Sequence, residues 1–478
     1  MSQNTAIVWF RNDQRLHDHE ALSRAIEQAD KIIPVYCVDP RHFGETPFGF
    51  PKTGPFRAKF LFESLTELRK RLQEKGSDLL ILHGKPEEEI ADLADRTGAF
   101  GVFAHKEVAE EELEVEEALE KMLFESGKVL ELFWGATLYH IEDLPMPVGA
   151  LPDIFTKFRK QVEKFAEIRD MLPTPGKIVS PEREDWGRIP DPEDLGQEVP
   201  EMDERIVWPF TGGEISGITR LQHYFWEEDR LKIYKETRNG LLGADYSSKF
   251  SPWLALGNLS PRYIEAEVRK YENLRVSNSS TYWMIFELIW RDYFRFVNRK
   301  FGNSIFHRGG IKDAGFRGIT NQKLFGAWQE GRTGVPFVDA NMRELLLTGF
   351  MSNRGRQNVA SFLVKDLGLD WRMGAEWFES QLIDYDVSSN WGNWNYVAGI
   401  GNDPRENRYF NVMSQSKRYD AKGEYIRTWV EEIATLPADL IHEPWHHAPN
   451  RLAAYSVRLG HQYPLPIADF EKKRGKIR

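Results

Sequence analysis

The first 140 residues alternate short β-branched runs with amphipathic stretches, and this restricts the fold more than any other feature of the chain. Candidate strands are residues 6–10, 31–38, 78–83, 100–105 and 129–134. Between them, Phe56-Arg-Ala-Lys-Phe-Leu-Phe-Glu-Ser-Leu-Thr-Glu-Leu68 and residues 113–123 repeat apolar side chains at helical spacing. Strand–helix–strand units of this kind call for a parallel, doubly wound sheet of five strands. No Gly-x-Gly-x-x-Gly follows the first run, so a dinucleotide site of the usual Rossmann kind is not supported there. The acidic run 107–120 reads as a solvated helix face.

Two changes of character divide the rest. Residues 140–205 are punctuated by Pro145, Pro147, Pro152, Pro173, Pro175, Pro181, Pro190, Pro192 and Pro200, which predicts a long, partly extended connector. Beyond Gly212, apolar residues recur at three and four in 283–301, 337–350, 359–367 and 375–383, while strand-like runs are scarce. The expectation is an α/β domain over 1–139, a connector over 140–205 and an all-α domain over 206–478. The 478 residues exceed one ordinary core.

Composition narrows the function classes. The single cysteine, Cys37, lies in an apolar run and excludes an internal disulfide framework or a multi-cysteine zinc site. No apolar run approaches the ~20 residues that span a bilayer. The first candidate strand begins almost at once, so no targeting peptide is expected. A cytoplasmic monomer is the expectation. The net charge of −10 conceals an asymmetry. Residues 1–210 carry 26 Lys and Arg against 42 Asp and Glu; residues 211–478 carry 37 against 31, with 11 of the 15 tryptophans. A basic, aromatic-rich half suits a phosphate-bearing ligand, although a solvated basic face accounts for the charge equally well.

Four strings in that half concentrate chemistry. Tyr234-Lys-Glu-Thr-Arg-Asn-Gly-Leu-Leu-Gly-Ala-Asp-Tyr-Ser-Ser-Lys-Phe-Ser251 places Ser247, Ser248, Lys249, Phe250 and Ser251 before an apolar helix. Hydroxyls and backbone amides there suit a diphosphate, while for this string alone an ordinary helix N-cap is the simpler account. Phe286-Glu-Leu-Ile-Trp-Arg-Asp-Tyr-Phe294 puts Glu287, Trp290, Arg291 and Phe294 on one helical face. Glu287 and Arg291 would otherwise be an i,i+4 surface pair. Ser352-Asn-Arg-Gly-Arg-Gln-Asn-Val-Ala-Ser361 brings Asn353, Arg356 and Gln357 to i, i+3 and i+4, with Arg354 pointing elsewhere. Asp384-Tyr-Asp-Val-Ser-Ser-Asn-Trp-Gly-Asn-Trp-Asn-Tyr396 crowds carboxylate, amide and indole groups into thirteen residues. A large planar heterocycle with an anionic tail needs such a set.

Together these strings resemble the photolyase/cryptochrome family, in particular its cryptochrome-DASH branch. Trp9-Phe-Arg-Asn-Asp-Gln-Arg-Leu-His-Asp-His19, Pro51-Lys-Thr-Gly-Pro55 and Gly331-Arg-Thr-Gly-Val-Pro-Phe-Val-Asp-Ala-Asn-Met-Arg343 extend the resemblance over the whole chain. It implies a Rossmann-like antenna domain joined to an all-helical FAD-binding domain. It places the flavin diphosphate at Tyr234 and residues 247–251, and the flavin ring and ribose at Asp384 and Asp386. Arg291 and Arg356 would lie near the flavin, and Asn390 beside its N5. Glu287, Trp290, Asn353, Gln357 and Tyr396 would meet a flipped pyrimidine dimer, and Arg354 a DNA phosphate. Trp394 and Trp371 would relay electrons. Glu107, in His105-Lys-Glu107, would face a 5,10-methenyltetrahydrofolate antenna. No metal is implied, and the His-Asp-His stretch has no further ligands clustered near it.

Two positions depart from the wider family. Gly318 stands where photolyases usually carry a third, solvent-side tryptophan, ten residues before the one matching Trp328. Tyr396 replaces a tryptophan that many double-strand photolyases set against the lesion, as it does in the DASH branch. The resemblance therefore implies light-driven, FAD-dependent repair of cyclobutane pyrimidine dimers, by electron transfer from the reduced flavin to a flipped dimer. Single-stranded DNA would be preferred, with RNA or duplex DNA bound weakly. The rival is a blue-light receptor that binds FAD and nucleic acid without catalysis. A nucleic-acid-binding module with a vestigial flavin is disfavoured by the intact Arg356, Asp384 and Asn390. Receptors of this kind often carry a long C-terminal tail, whereas only Glu471-Lys-Lys-Arg-Gly-Lys-Ile-Arg478 closes this sequence.

Overall fold

The computed structural model describes residues 4–405 and 408–469, so the basic run 471–478 lies outside the described residues. Five strands, β1 (Thr5–Trp9), β2 (Lys31–Val38), β3 (Leu80–His83), β4 (Gly101–His105) and β5 (Val129–Phe133), form one parallel sheet in the order β3-β2-β1-β4-β5. Side chains of β1 alternate between two cores. Ala6 and Val8 pack with α1 (Glu20–Gln28) and α2 (Pro55–Glu74). Ile7 and Trp9 pack with α3 (Pro86–Thr97) and α4 (Glu110–Glu125). Helices on both faces explain why the strands read as continuous apolar runs.

Residues 140–205 are more than a spacer. They contain α5 (Phe155–Phe165) and then run back along the sheet domain. There the amides of Ile32 and Ile81 donate to the carbonyls of Val179 and Trp186.

The remainder is helical: α6 (Glu214–Gln222), α7 (Tyr234–Thr237), α8 (Ser251–Ala255), α9 (Pro261–Leu274), α10 (Ser279–Phe301), α11 (Gln322–Gln329), α12 (Pro336–Thr348), α13 (Asn353–Ser361), α14 (Trp371–Gln381), α15 (Val387–Ala398), α16 (Val412–Tyr419), α17 (Glu424–Trp429), α18 (Ala438–Ile441) and α19 (Pro449–Ala453). The apolar pattern predicted over 359–367 straddles a junction, because α13 gives way to a π-helical turn at Phe362–Asp366. Side-chain caps fix the starts of the helices that matter most. Asn278 caps α10 in a box with Thr281, Ser352 caps α13, Asp370 caps α14 and Asp386 caps α15.

Charged side chains stitch the two domains. Asp18 on the sheet side takes Arg262 of α9 at 2.7 and 2.9 Å. Asp292 of α10 accepts the amides of Leu138 and Tyr139 at 3.0 and 2.9 Å.

Candidate functional site

Helices α13, α14 and α15 meet around a small, partly open cleft of about 100 Å³. Seven of the predicted residues line it: Asn353, Arg356, Gln357, Asp384, Asp386, Asn390 and Trp394. The Ser352 cap on the Gly355 amide, at 3.0 Å, sets the phase of α13 and so turns Asn353, Arg356 and Gln357 toward the cleft. Arg356 donates to Asp384 Oδ2 at 2.8 Å and, through Nε, to the Met351 carbonyl at 2.9 Å. Asp384 Oδ1 is buried and has no hydrogen-bond partner within the protein. A buried carboxylate oxygen is costly to leave unpaired, so this atom awaits a donor. Asp386 spends Oδ1 on the Ser389 amide at 2.7 Å. Asn390 gives its Nδ2 to the Ala375 carbonyl at 3.0 Å, which leaves its own oxygen as the free acceptor. Trp394 closes the inner wall, edge-on to Phe378 at 5.2 Å and to Trp328 at 6.5 Å.

The loop between α7 and α8 supplies the second part. Its carbonyls are gathered inward. Arg220 of α6, fully buried, donates to the carbonyls of Ala244, Ser247 and Ser248 at 3.0–3.1 Å and to Asp245 at 2.9 Å. Lys249 adds bonds to the carbonyls of Gly243 and Ala244 and lies 3.4 Å from the centre of the Tyr246 ring. The expected presentation of Lys249 to a ligand is therefore not what the structure has. Its φ of 56° folds the side chain back under the loop, and burial pushes its ammonium well below the usual range. Ser251 is exposed and Ser247 half-buried, whereas Ser248 is buried. Tyr234 and Phe250 are buried in the adjoining core.

A third group forms an outer wall on the seam of α10 and α15. Trp290 meets Tyr396 edge-on at 6.2 Å and stacks on Phe155 at 3.6 Å. Glu287 pairs with Arg238 of the α7–α8 loop rather than with Arg291. Burial pushes the Glu287 carboxyl up, against the pull of Arg238. Arg354 does leave the cleft, as predicted. It reaches Asn239 at 2.7 Å and Gln357 at 2.9 Å, and it lies 4.6 Å from the Tyr419 ring. Burial and the nearby Arg238 and Arg418 push its guanidinium down. Among the described residues, neither Arg354, Lys235 nor Arg418 has a carboxylate within ion-pair distance.

Two predicted residues sit away from these surfaces. Arg291 turns into the domain junction and donates to the carbonyls of Ala136 and Leu254. Glu107 is buried with both oxygens engaged, by Asn12 at 3.1 Å and by Arg295 at 2.5 Å. Burial opposes its ionisation, but Arg295, His105 and Arg11 outweigh that and hold the carboxyl at about 2. It acts as a clamp between domains, where the resemblance implied an antenna contact.

Comparison with known proteins bears directly on this geometry. Residues 6–176 match a family model described as DNA photolyase, and residues 283–478 one described as the FAD binding domain of DNA photolyase. Cryptochrome DASH of Gloeobacter violaceus is 54% identical over 98% of this chain and 94% of its own length. Cryptochrome DASH of Danio rerio is 53% identical over 98% and 90%.

The chain belongs to the photolyase/cryptochrome family, in its cryptochrome-DASH branch.

The crystal structure of a Synechocystis cryptochrome superposes with a TM-score of 0.96 over both whole chains at 53% identity. A bacterial class III photolyase from Agrobacterium tumefaciens does so with 0.86 at 30% identity, over all of this chain and 96% of that one. The protein accordingly binds FAD, and its residues fit that group. The unpaired Asp384 Oδ1 and the Asn390 oxygen are acceptors suited to the N–H edge of a flavin. The hydroxyl face of 247–251 suits its diphosphate.

The two indoles implied as an electron relay have separate ring contacts. Trp371 is fully buried, gives Nε1 to the Arg308 carbonyl at 3.1 Å, and contacts Trp391 edge-on at 5.6 Å. Trp394 instead touches Phe378 and Trp328, and Trp328 is fully buried. Gly318 leaves no space for a large side chain. A Cβ there would lie 2.4 Å from the Phe316 ring and 2.6 Å from the Leu369 carbonyl oxygen. Sequence reasoning missed Arg220, Arg238, Tyr246 and Phe155. Of these, only Arg238 and Tyr246 fall inside a string already singled out.

Proposed function

We propose that the protein is a light-driven, FAD-dependent lyase that splits cyclobutane pyrimidine dimers and prefers single-stranded DNA. The observation that carries this reading is the outer wall. An aromatic pair, Trp290 of α10 and Tyr396 of α15, stands one helical turn from Glu287, which holds Arg238, and Lys235 lies 4.7 Å from the ring of Trp283 on the same helix. When bound and reduced, FAD supplies a light-driven electron. The chain's own groups do the rest. Asn390 offers an acceptor where a carboxylate would repel negative charge. Arg356 and Asp384 orient the ring system from α13 and from the turn before α15. Trp290 and Tyr396 give an extruded base a stacking surface. Glu287 hydrogen-bonds the pyrimidine edge, and Arg354 meets a phosphate.

Extruding a dimer costs a few kcal/mol from a duplex and less from a single strand. A tyrosine at 396 offers less stacking area than an indole, which favours the cheaper substrate. A 5,10-methenyltetrahydrofolate antenna belongs to the same proposal, seated by groups other than the occupied Glu107 carboxylate. Illumination of chemically reduced protein with dimer-containing single-stranded and duplex DNA tests the reading. Faster splitting in the single strand is expected. Bound FAD with no splitting of either substrate would favour a receptor and refute the lyase.

A further inference from the structure

Beneath the N-terminal turn of α13 lies a buried acid that the reading above does not use. Glu344 of α12 is 1% exposed. Its Oε2 is 2.6 Å from the Tyr425 hydroxyl, and the same hydroxyl is 3.1 Å from Asn341 Oδ1. Proton counting decides the state of this cluster. Asn341 gives its Nδ2 to the Phe337 carbonyl at 2.7 Å, so its Oδ1 is an acceptor only. Tyr425 has one proton for two neighbours. If Glu344 were ionised, two acceptors would compete for that proton in a dry core. If Glu344 is protonated, it donates to Tyr425, Tyr425 donates to Asn341, and every contact is satisfied. Burial also pushes the Glu344 carboxyl up to about 8, against Tyr425, Lys249 and Arg356.

The surroundings connect this acid to the cofactor site. Lys249 and Arg356 are the cations that face it, one from the 247–251 loop and one from the cleft. Tyr246 faces it from the same loop, and its hydroxyl has no hydrogen-bond partner within the protein. Glu344 Oε1 likewise has none. Asp420, at the end of α16, acts on Tyr425, and Arg220 acts on Lys249. The cluster also lies hard against α13, where a Cβ on Gly355 would fall 1.9 Å from Asn341 Oδ1.

We propose that Glu344 is a proton-holding positioning residue for FAD: protonated, it leaves the positive charge of Arg356 to the cofactor, and ionised, it takes that charge for itself. The proposal rests on the placement of FAD in the cleft that Arg356 lines. While the acid keeps its proton the cofactor is held. Once it ionises, a buried negative charge competes with the cofactor for Arg356, and affinity falls.

The experiment is equilibrium dialysis of the holoprotein against FAD from pH 6.5 to 9.5. A single coupled proton raises the Kd by up to about tenfold per pH unit above the break. Glu344→Gln mimics the neutral acid, so its Kd should match wild type below the break and stay flat above it. The band of a protonated carboxylic acid should vanish from the infrared spectrum in Glu344→Gln. FAD binding with the same pH profile in wild type and Glu344→Gln would overturn the proposal. Failure of wild type to bind FAD at any pH would instead overturn the assignment of the site.

Discussion

Gly374→Ala tests how closely α14 must approach α15 for the cofactor cleft to exist. A Cβ at Gly374 would start 2.2 Å from Trp394 Cη2, with Cζ3 and Cζ2 at 2.7 and 2.8 Å. Carbon–carbon contact needs about 3.5 Å or more, so the indole or the helix must shift by more than ~1 Å. Overpacking of this kind costs about 1–3 kcal/mol. Against it stands the gain of up to ~1 kcal/mol for Ala over Gly inside a helix. The balance is a loss of up to ~2 kcal/mol in stability. The larger effect falls on the ligand, because Trp394 is a wall of the cleft and a displaced indole enters the cofactor's space. We expect the FAD Kd to rise by about tenfold or more, which is ~1.4 kcal/mol. Gly326→Ala in α11 is the control. Its Cβ would meet nothing closer than Glu330 Oε1 at 3.9 Å, so only the helix gain applies. Equilibrium dialysis and thermal melting of both variants read the two terms separately. A Gly374→Ala protein that binds FAD like wild type and melts higher, as Gly326→Ala should, would refute the steric argument.

Arg220→Met keeps bulk in the core but releases the carbonyls of Ala244, Ser247 and Ser248; FAD affinity should fall more than tenfold by dialysis, with secondary structure retained by circular dichroism. Arg354→Gln should weaken single-stranded DNA binding and reduce its salt slope by about one counterion, with FAD content unchanged. Trp394→Phe should block photoreduction of bound FAD by external thiol, while repair by chemically pre-reduced protein survives. Loss of repair in pre-reduced Trp394→Phe that still binds FAD and dimer would contradict the relay role.

What could be read in the sequence follows the range of the forces involved. The sheet was legible because both faces of the central strands β1, β2 and β4 are buried, which turns burial into nearly uninterrupted apolar runs. The cleft was legible because its residues fall on α13 and on the turn and helix of α15, where spacing along one element sets their direction. The errors lie where direction is set by another segment. Arg291 shares a helical face with Glu287 and Trp290, yet the carbonyls of Ala136 and Leu254 draw it into the domain junction. Glu107 stands in an acidic run like a surface residue, but Arg295, 188 positions later, draws it inside. Lys249 sits among hydroxyls like a phosphate ligand. It turns inward because the loop carbonyls, already bent toward Arg220, offer a buried ammonium more acceptors than the surface side does. In each case a group remote along the chain decides the outcome, and local spacing carries no information about where that group will be.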